Sequence, residues 1–271
     1  MFAYRDATAL ITGASSGLGA VFASALAARG MHLILVARTK PTLEDLAQHL
    51  AQQHGIQATA IEADLADPEA PDRTRACVVE RGLRVDLLVN NAGFGLGGPF
   101  LSHDLAKETA QIHVDLVALV ALTHLFVPDM VGRKKGGVIN LASITSFLPM
   151  AYAAVYAASK SFVLSFSEAL GREVAADGVQ VLAVCPGPVA TKFYAELGAN
   201  PPSKALDTPE RIVADALKAF DRRRSVVIPG RFMIRALVFG TRLLPRAINA
   251  RIGEQISRQY FLAPAEQVGK R

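Results

Sequence analysis

A tyrosine and a lysine four residues apart, Tyr156 and Lys160, stand in the alanine-rich run from Ala151 to Lys160. On a helix that spacing puts both side chains on one face, one turn apart. Thirteen residues before the tyrosine, Ser143 follows the apolar run Val138, Ile139, Leu141, which reads as a buried strand ending at Ala142. A strand end would deliver a hydroxyl to a helix that carries a phenol and an ammonium, and such a set moves protons. A free phenol titrates near ~10, too high for a good base at neutral pH, but a fixed positive charge within a few ångströms favours the phenolate. Lys160 would supply that charge.

These groups need elements to position them, and the chain alternates strands with helices throughout. Thr8 to Thr12 is a short apolar strand that runs into Gly13, Ala14, Ser15, Ser16, Gly17, Leu18 and Gly19, followed by a helix from Ala20 to Arg29 stopped by Gly30. A strand, a glycine-rich turn and a helix is the arrangement that binds a dinucleotide: glycines let backbone amides approach a pyrophosphate, and the helix N-terminus adds partial positive charge. A turn closing an ordinary strand-to-helix unit is the alternative, and the strand before and helix after favour the ligand. His32 to Ala37 is a second strand with Arg38 at its carboxyl end. No acid stands there to take ribose hydroxyls, and arginine accommodates a 2′-phosphate, so NADP is favoured over NAD. A solvated loop residue is the other reading of Arg38.

A helix from Pro41 to His54 and strands at Ala58 to Ala63, Val85 to Val89, Val138 to Ala142, Val179 to Val184 and Ser225 to Ile228 continue the pattern. Asp64 and Leu65 follow the third strand, and Asn90, Asn91, Ala92 and Gly93 the fourth. These strands are nearly all apolar, as in a parallel sheet covered on both faces, and the order implies one α/β domain with a doubly wound parallel sheet. A long helical pattern from about His103 to Met130 carries Asp115 among Val114, Leu116, Val117 and Leu119, where an acid needs a partner if buried.

Composition narrows the classes. Hydrophobic residues are 51% and charged residues 20% of 271, a globular balance with room for a sizeable core. The net charge of +5 is concentrated in Arg222, Arg223, Arg224 and a C-terminal arginine series. Without zinc-finger spacing, aromatic-basic alternation or tryptophan, it reads as a solvated surface and not as a nucleic-acid site. Cys77 and Cys185 cannot make a disulfide framework, no secretory signal follows Met1, and the run Leu116 to Val127 is short and interrupted by His124. A cytoplasmic protein is the expectation.

Taken together, TGASSGLG at Thr12 to Gly19, Asp64, NNAG at Asn90 to Gly93, Ser143, YAASK at Tyr156 to Lys160 and PGPVAT at Pro186 to Thr191 resemble the short-chain dehydrogenase/reductase family over residues 7 to about 228. The resemblance implies a single-domain Rossmann fold across residues 1–271, with helices on both faces of the sheet, and an NADP(H)-dependent enzyme that interconverts a small-molecule carbonyl and a secondary alcohol. It implies that Gly13, Gly17 and Gly19 line the pyrophosphate, Asp64 bonds the adenine, Asn90 lies beside the adenosine ribose and steadies the sheet, and Thr191 places the carboxamide. Ser15, Ser16, Leu18, Leu65, Ala92, Gly93, Pro186, Gly187 and Val189 complete the cofactor wall. Tyr156 becomes the acid or base, Ser143 holds the substrate oxygen, and Lys160 binds the nicotinamide ribose while lowering the tyrosine pKa. No metal is implied, and a homo-oligomer, dimer or tetramer, is. One position departs: the family usually has asparagine where this chain has Asp115, which bears on the proton relay and the pH profile.

Phe94, Leu96, Phe147, Met150, Pro188 and Phe193 flank the predicted site and would suit a lipophilic substrate, or would be ordinary packing. The extension 229–271 is amphipathic: on a helix Arg231, Arg235, Arg242 and Arg246 gather on one side, with apolar residues over much of the rest. It reads as a lid or a subunit contact, with a helix lying on a membrane surface as the lesser alternative. Two other functions stay in view. A non-catalytic NADP(H) sensor on the same fold is one. A hydrolase with Ser143 as nucleophile is the weaker, because no Gly-x-Ser-x-Gly elbow surrounds that serine.

Overall fold

The computed structural model of the protein describes residues 2–199 and 201–261, with Leu237 and Arg242 described by backbone alone. Alternation within the strands decides the architecture. In β1 (Thr8–Thr12) and β2 (His32–Ala37), Ala9, Ile11, Leu33 and Leu35 point to one face, and Leu10, Ile34 and Val36 to the other. Both sets are buried, so both faces need a cover. On the first face it comes from α1 (Gly17–Ala27) and α2 (Lys40–His54), which ends at Gly55 in the left-handed region, φ 65°. After β3 (Ala58–Glu62), the second face receives α3 (Ala70–Glu80).

Beyond β4 (Leu87–Asn90) lies a helical run from Leu105 to Gly132, made of α4 (Leu105–Ile112), a wide π turn over His113–Val117, and α5 (Ala118–Gly132). Asp104 caps its start, its carboxylate accepting from the Ala106 amide at 3.0 Å. By length and composition this run could cross a bilayer, unlike the shorter stretch weighed from sequence. Its inner residues Ala118, Leu122, Phe126 and Met130 pack under the sheet instead, as in a core helix. Next come β5 (Gly136–Leu141), α6 (Ala154–Glu173), β6 (Val179–Val184), the short α7 (Phe193–Leu197), α8 (Pro209–Asp221), β7 (Val226–Val227), α9 (Phe232–Arg242) and α10 (Arg246–Phe261). α6 covers the second face and α8 the first.

The seven strands are parallel in the order β3-β2-β1-β4-β5-β6-β7. The order reverses between β1 and β4, and a crevice opens there beyond the carboxyl ends, where doubly wound sheets bind ligands. A polar chain crosses the centre of the sheet. The Asn90 amide donates to Thr123 Oγ1 at 3.1 Å and to Asn140 Oδ1 at 2.9 Å, and the Asn140 amide donates to Ser167 Oγ at 2.9 Å. That chain ties β4 and β5 to α5 and α6 and fixes the register from which the site projects.

Candidate active site

A cleft of about 840 Å³ runs along the carboxyl ends of the strands. At one end is the turn after β1. Gly13 has φ +63°, and a Cβ there would stand 2.9 Å from the Ala92 Cα; a Cβ on Gly19 would stand 2.2 Å from the Gly13 carbonyl oxygen. Only glycine fits this crossing. Asn91 locks it from the opposite strand, its amide donating to the Thr12 carbonyl at 2.9 Å and to that of Gly13 at 3.2 Å. At the start of α1, Ser16 is extended and its side chain caps nothing, and the first turn carries no acid. The opening amides of α1 therefore face the cleft without a protein partner from the cap, which fits a phosphate. Ser15, Leu18, Arg38, Asp64, Leu65, Ala92 and Gly93 also line the wall. Arg38 and Thr39 close β2 where an acid would otherwise meet the ribose, so these residues fit NADP(H).

At the other end, Ser143, Tyr156 and Lys160 lie together. Ser143 follows β5 in extended backbone and caps a single 3-10 turn, Ile144–Phe147, its Oγ accepting from the Thr145 amide at 3.2 Å. Tyr156 and Lys160 sit on successive turns of α6, both buried, with Lys160 Nζ 5.6 Å from the tyrosine ring centroid. Lys160 Nζ donates to the Leu141 carbonyl at 3.2 Å and lies 3.5 Å from Asp115 Oδ2. Asp115, inside the π turn, is buried, and its Oδ1 accepts from the Phe94 amide at 3.2 Å. Gly93 runs against this pair; a Cβ there would stand 2.7 Å from Asp115 Oδ1.

The electrostatics depart from the sequence expectation. Burial pushes the Tyr156 phenol well above its usual range, Tyr194 and Asp115 push the same way, and the Ser143 hydrogen bond alone opposes them. The Lys160 ammonium lies 3.5 Å from Asp115 Oδ2. Burial likewise raises Asp115 above the carboxylate range, against the pull of Lys160 and of the Phe94 amide. Desolvation thus outweighs pairing.

Of the other predicted residues, Phe94, Phe193, Pro186, Gly187, Val189 and Thr191 line the cleft. Asn90 does not. It is buried in the polar chain of the sheet, and its neighbour Asn91 takes the place at the wall. Phe147 points into the cluster between α5 and α6 around Leu119 and Val163, and Met150 lies beneath α10. A 3-10 turn, Ile144–Phe147, follows Ser143 ahead of Met150. Tyr194, which adjoins the predicted Phe193 and lines the cleft, was missed.

Comparison with known proteins extends this geometry. The sequence pattern of the short chain dehydrogenase family matches residues 7–202. A very-long-chain 3-oxoacyl-CoA reductase from Phaeosphaeria nodorum is 34% identical over 225 residues, 82% of this chain and 65% of that protein, so the chain spans just under two thirds of that relative's length. A short-chain dehydrogenase from Sphingobium yanoikuyae in complex with NADPH superposes with a TM-score of 0.80 at 33% identity, covering 88% of this chain and 94% of the other. The bulky-bulky ketone specific alcohol dehydrogenase from Comamonas testosteroni superposes at 0.75, with 29% identity over 89% and 96% of the two chains.

Proposed function

The chain belongs to the short-chain dehydrogenase family, and on that premise we propose that it reduces a bulky, lipophilic ketone, long-chain 3-oxoacyl thioesters included, to the secondary alcohol. The observation that carries this reading is the meeting of Ser143, Tyr156 and Lys160 at the end of the cleft opposite the glycine turn. NADPH, when bound, supplies a hydride to the carbonyl carbon. The chain's own residues handle the oxygen. Ser143 Oγ holds it, and the Tyr156 hydroxyl gives it a proton as negative charge develops there. Lys160 holds the nicotinamide ribose.

The walls support the substrate class. Leu148, Ala153, Phe193, Ile252, Ile256 and Phe261 form an apolar cluster around Tyr156, and the relatives include a very-long-chain 3-oxoacyl-CoA reductase and a bulky-bulky ketone specific alcohol dehydrogenase. Two further expectations go with the reading. Exposed Val117 and Phe162 on the helices of the second face support self-association, and Cys77 and Cys185, outside any disulfide, suit a reducing cytoplasm.

The test is NADPH oxidation by the purified protein across aryl ketones and 3-oxoacyl thioesters of increasing chain length. Turnover that rises with substrate bulk is the expected result. Tight NADPH binding with no turnover of any bulky ketone would sink the reductase reading and favour a cofactor sensor.

A further inference from the structure

The hairpin of α9 and α10 has two unlike faces. Inward, Ile234 sits against Gly187, Val238 is buried, Gly253 packs on the Pro149 carbonyl, and Ile252, Ile256 and Phe261 join the cluster around Tyr156. Outward stand the largest apolar side chains of α9. Phe232, Met233 and Phe239 are 79%, 81% and 65% exposed, and Leu243 just after the helix is 73% exposed. At ~100° per residue Phe232, Phe239 and Leu243 fall within about 40° of one another, with Ile234 on the far side. A helix at the surface of a globular protein turns its polar face to water; this one turns an apolar stripe. Leu244 and Ile248 carry the stripe across the turn into α10.

Arginines border it. Arg231 and Arg235 are tied to Asp207 and Asp215, yet about half of each side chain stays in water, 47% and 48%. Arg246 and Arg251 are exposed and have no ion-pair partner among the described residues. The side chain of Arg242 in the predicted series, and residues 262–271 of the predicted extension, lie outside what the structure describes. The apolar run Phe232–Thr241 has a length of ~15 Å at 1.5 Å per residue, half of the ~30 Å hydrocarbon thickness. A helix of that length lies along a bilayer and cannot cross one.

We infer that α9 and the turn into α10 dock on the surface of a lipid bilayer bearing anionic headgroups. Phe232, Phe239 and Leu243 enter the acyl boundary, and the arginines remain at headgroup level. A second copy of the chain is the poorer occupant. Related by a two-fold axis, it would bring the same arginine border against itself, whereas an anionic surface complements stripe and border together. The docking rests on the outer face of the hairpin and not on the reaction. The inner face packs on the cluster around Tyr156, so docking would also bring that cluster beside a lipid phase that concentrates apolar ketones.

The experiment is flotation of the full chain with vesicles of phosphatidylcholine, alone or with phosphatidylserine, beside a Phe232→Ser/Phe239→Ser/Leu243→Ser variant. The wild type should float with the anionic vesicles. Binding should be on the order of tenfold weaker on neutral ones, since each arginine near an anionic surface adds several-fold, and should be lost in the variant. The chain has no tryptophan, so Phe239→Trp gives a single probe that keeps the stripe apolar; brominated acyl chains should quench it. Three results would overturn the docking: equal flotation of wild type and serine variant, an unquenched tryptophan, or a wild type that ignores vesicles and sediments as a dimer dissociated by the serines. Flotation needs no turnover, so either reading can fail while the other stands.

Discussion

At one end of the cleft the ligand is met by backbone amides around Gly13, Gly17 and Gly19, none of which titrates. At the other end stand Asp115, Tyr156 and Lys160, all buried, with half-buried Tyr194 beside them. The first end is built from chain geometry, so its tolerance is steric: a methyl in the wrong place breaks it. The second holds Asp115 and two phenols that burial pushes above their ordinary ranges, so its tolerance is electrostatic. Changes of the first kind should appear in cofactor affinity, and changes of the second kind in rate and pH dependence.

Four substitutions can break that division. The largest effect belongs to Tyr156→Phe, which removes the proton donor and little volume. Its turnover should fall by on the order of 10³-fold, with the NADPH Kd from fluorescence titration within about twofold. Near-normal rates would remove Tyr156 from the chemistry. At the opposite end, Gly19→Ala puts a methyl 2.2 Å from the Gly13 carbonyl. It should weaken NADPH binding at least ~tenfold and cost about 1–3 kcal/mol in urea unfolding, leaving the pH profile in place; unaltered affinity would show that the turn does not hold the phosphates.

Arg38→Asp should move the NADPH/NADH preference toward NADH by roughly ten- to a hundredfold, the worth of one charge-assisted contact exchanged for repulsion. Unchanged discrimination in the ratio of kcat/KM would mean that another group reads the 2′-phosphate. The smallest effect is the one that sharpens the comparison most. Asp115 raises the Tyr156 pKa, so Asp115→Asn should bring it down. The alkaline limb of the reduction profile, where the phenol loses its proton, should begin at lower pH than in the wild type. A stationary limb would detach Asp115 from the phenol.

Stability supplies a second readout of the same carboxyl. Its folded pKa is raised above the unfolded value, so its contribution is fully present below about pH 3.9 and is lost as pH climbs through the folded pKa. The wild-type stability relative to Asp115→Asn should therefore decline over that range. A difference independent of pH would mean that Asp115 does not titrate in the folded chain.

The sequence made the amide-built end readable because glycine spacing after an apolar strand has few uses. The alternation of apolar strands with helices likewise gave the doubly wound sheet and its strand limits to within a few residues, as at β6 (Val179–Val184). The titrating end was readable in residue types and not in their balance. Tyr156 and Lys160 share a helix face as their spacing requires, but whether lysine's charge acts on tyrosine or on Asp115 depends on a π turn at His113–Val117 that no local pattern announces. Phe147 and Met150 were misplaced for a related reason. A 3-10 turn, Ile144–Phe147, follows Ser143, and α10, more than a hundred residues later in the chain, covers Met150. Contacts of that separation are set by tertiary packing alone.

The contact of α10 with the 148–153 loop has a consequence for the order in which the protein comes into being. A ribosome releases the glycine turn first, and the whole sheet has emerged once Val227 is clear of the exit tunnel. A nascent chain at that stage has every strand and the cofactor cleft, but nothing beyond residue 230 to close the wall around Tyr156. Synthesis of α9 and α10 thus follows that of the whole sheet. A chain stopped short of them would hold its nucleotide beside a reaction centre still open to water, able to bind and poorly able to turn over.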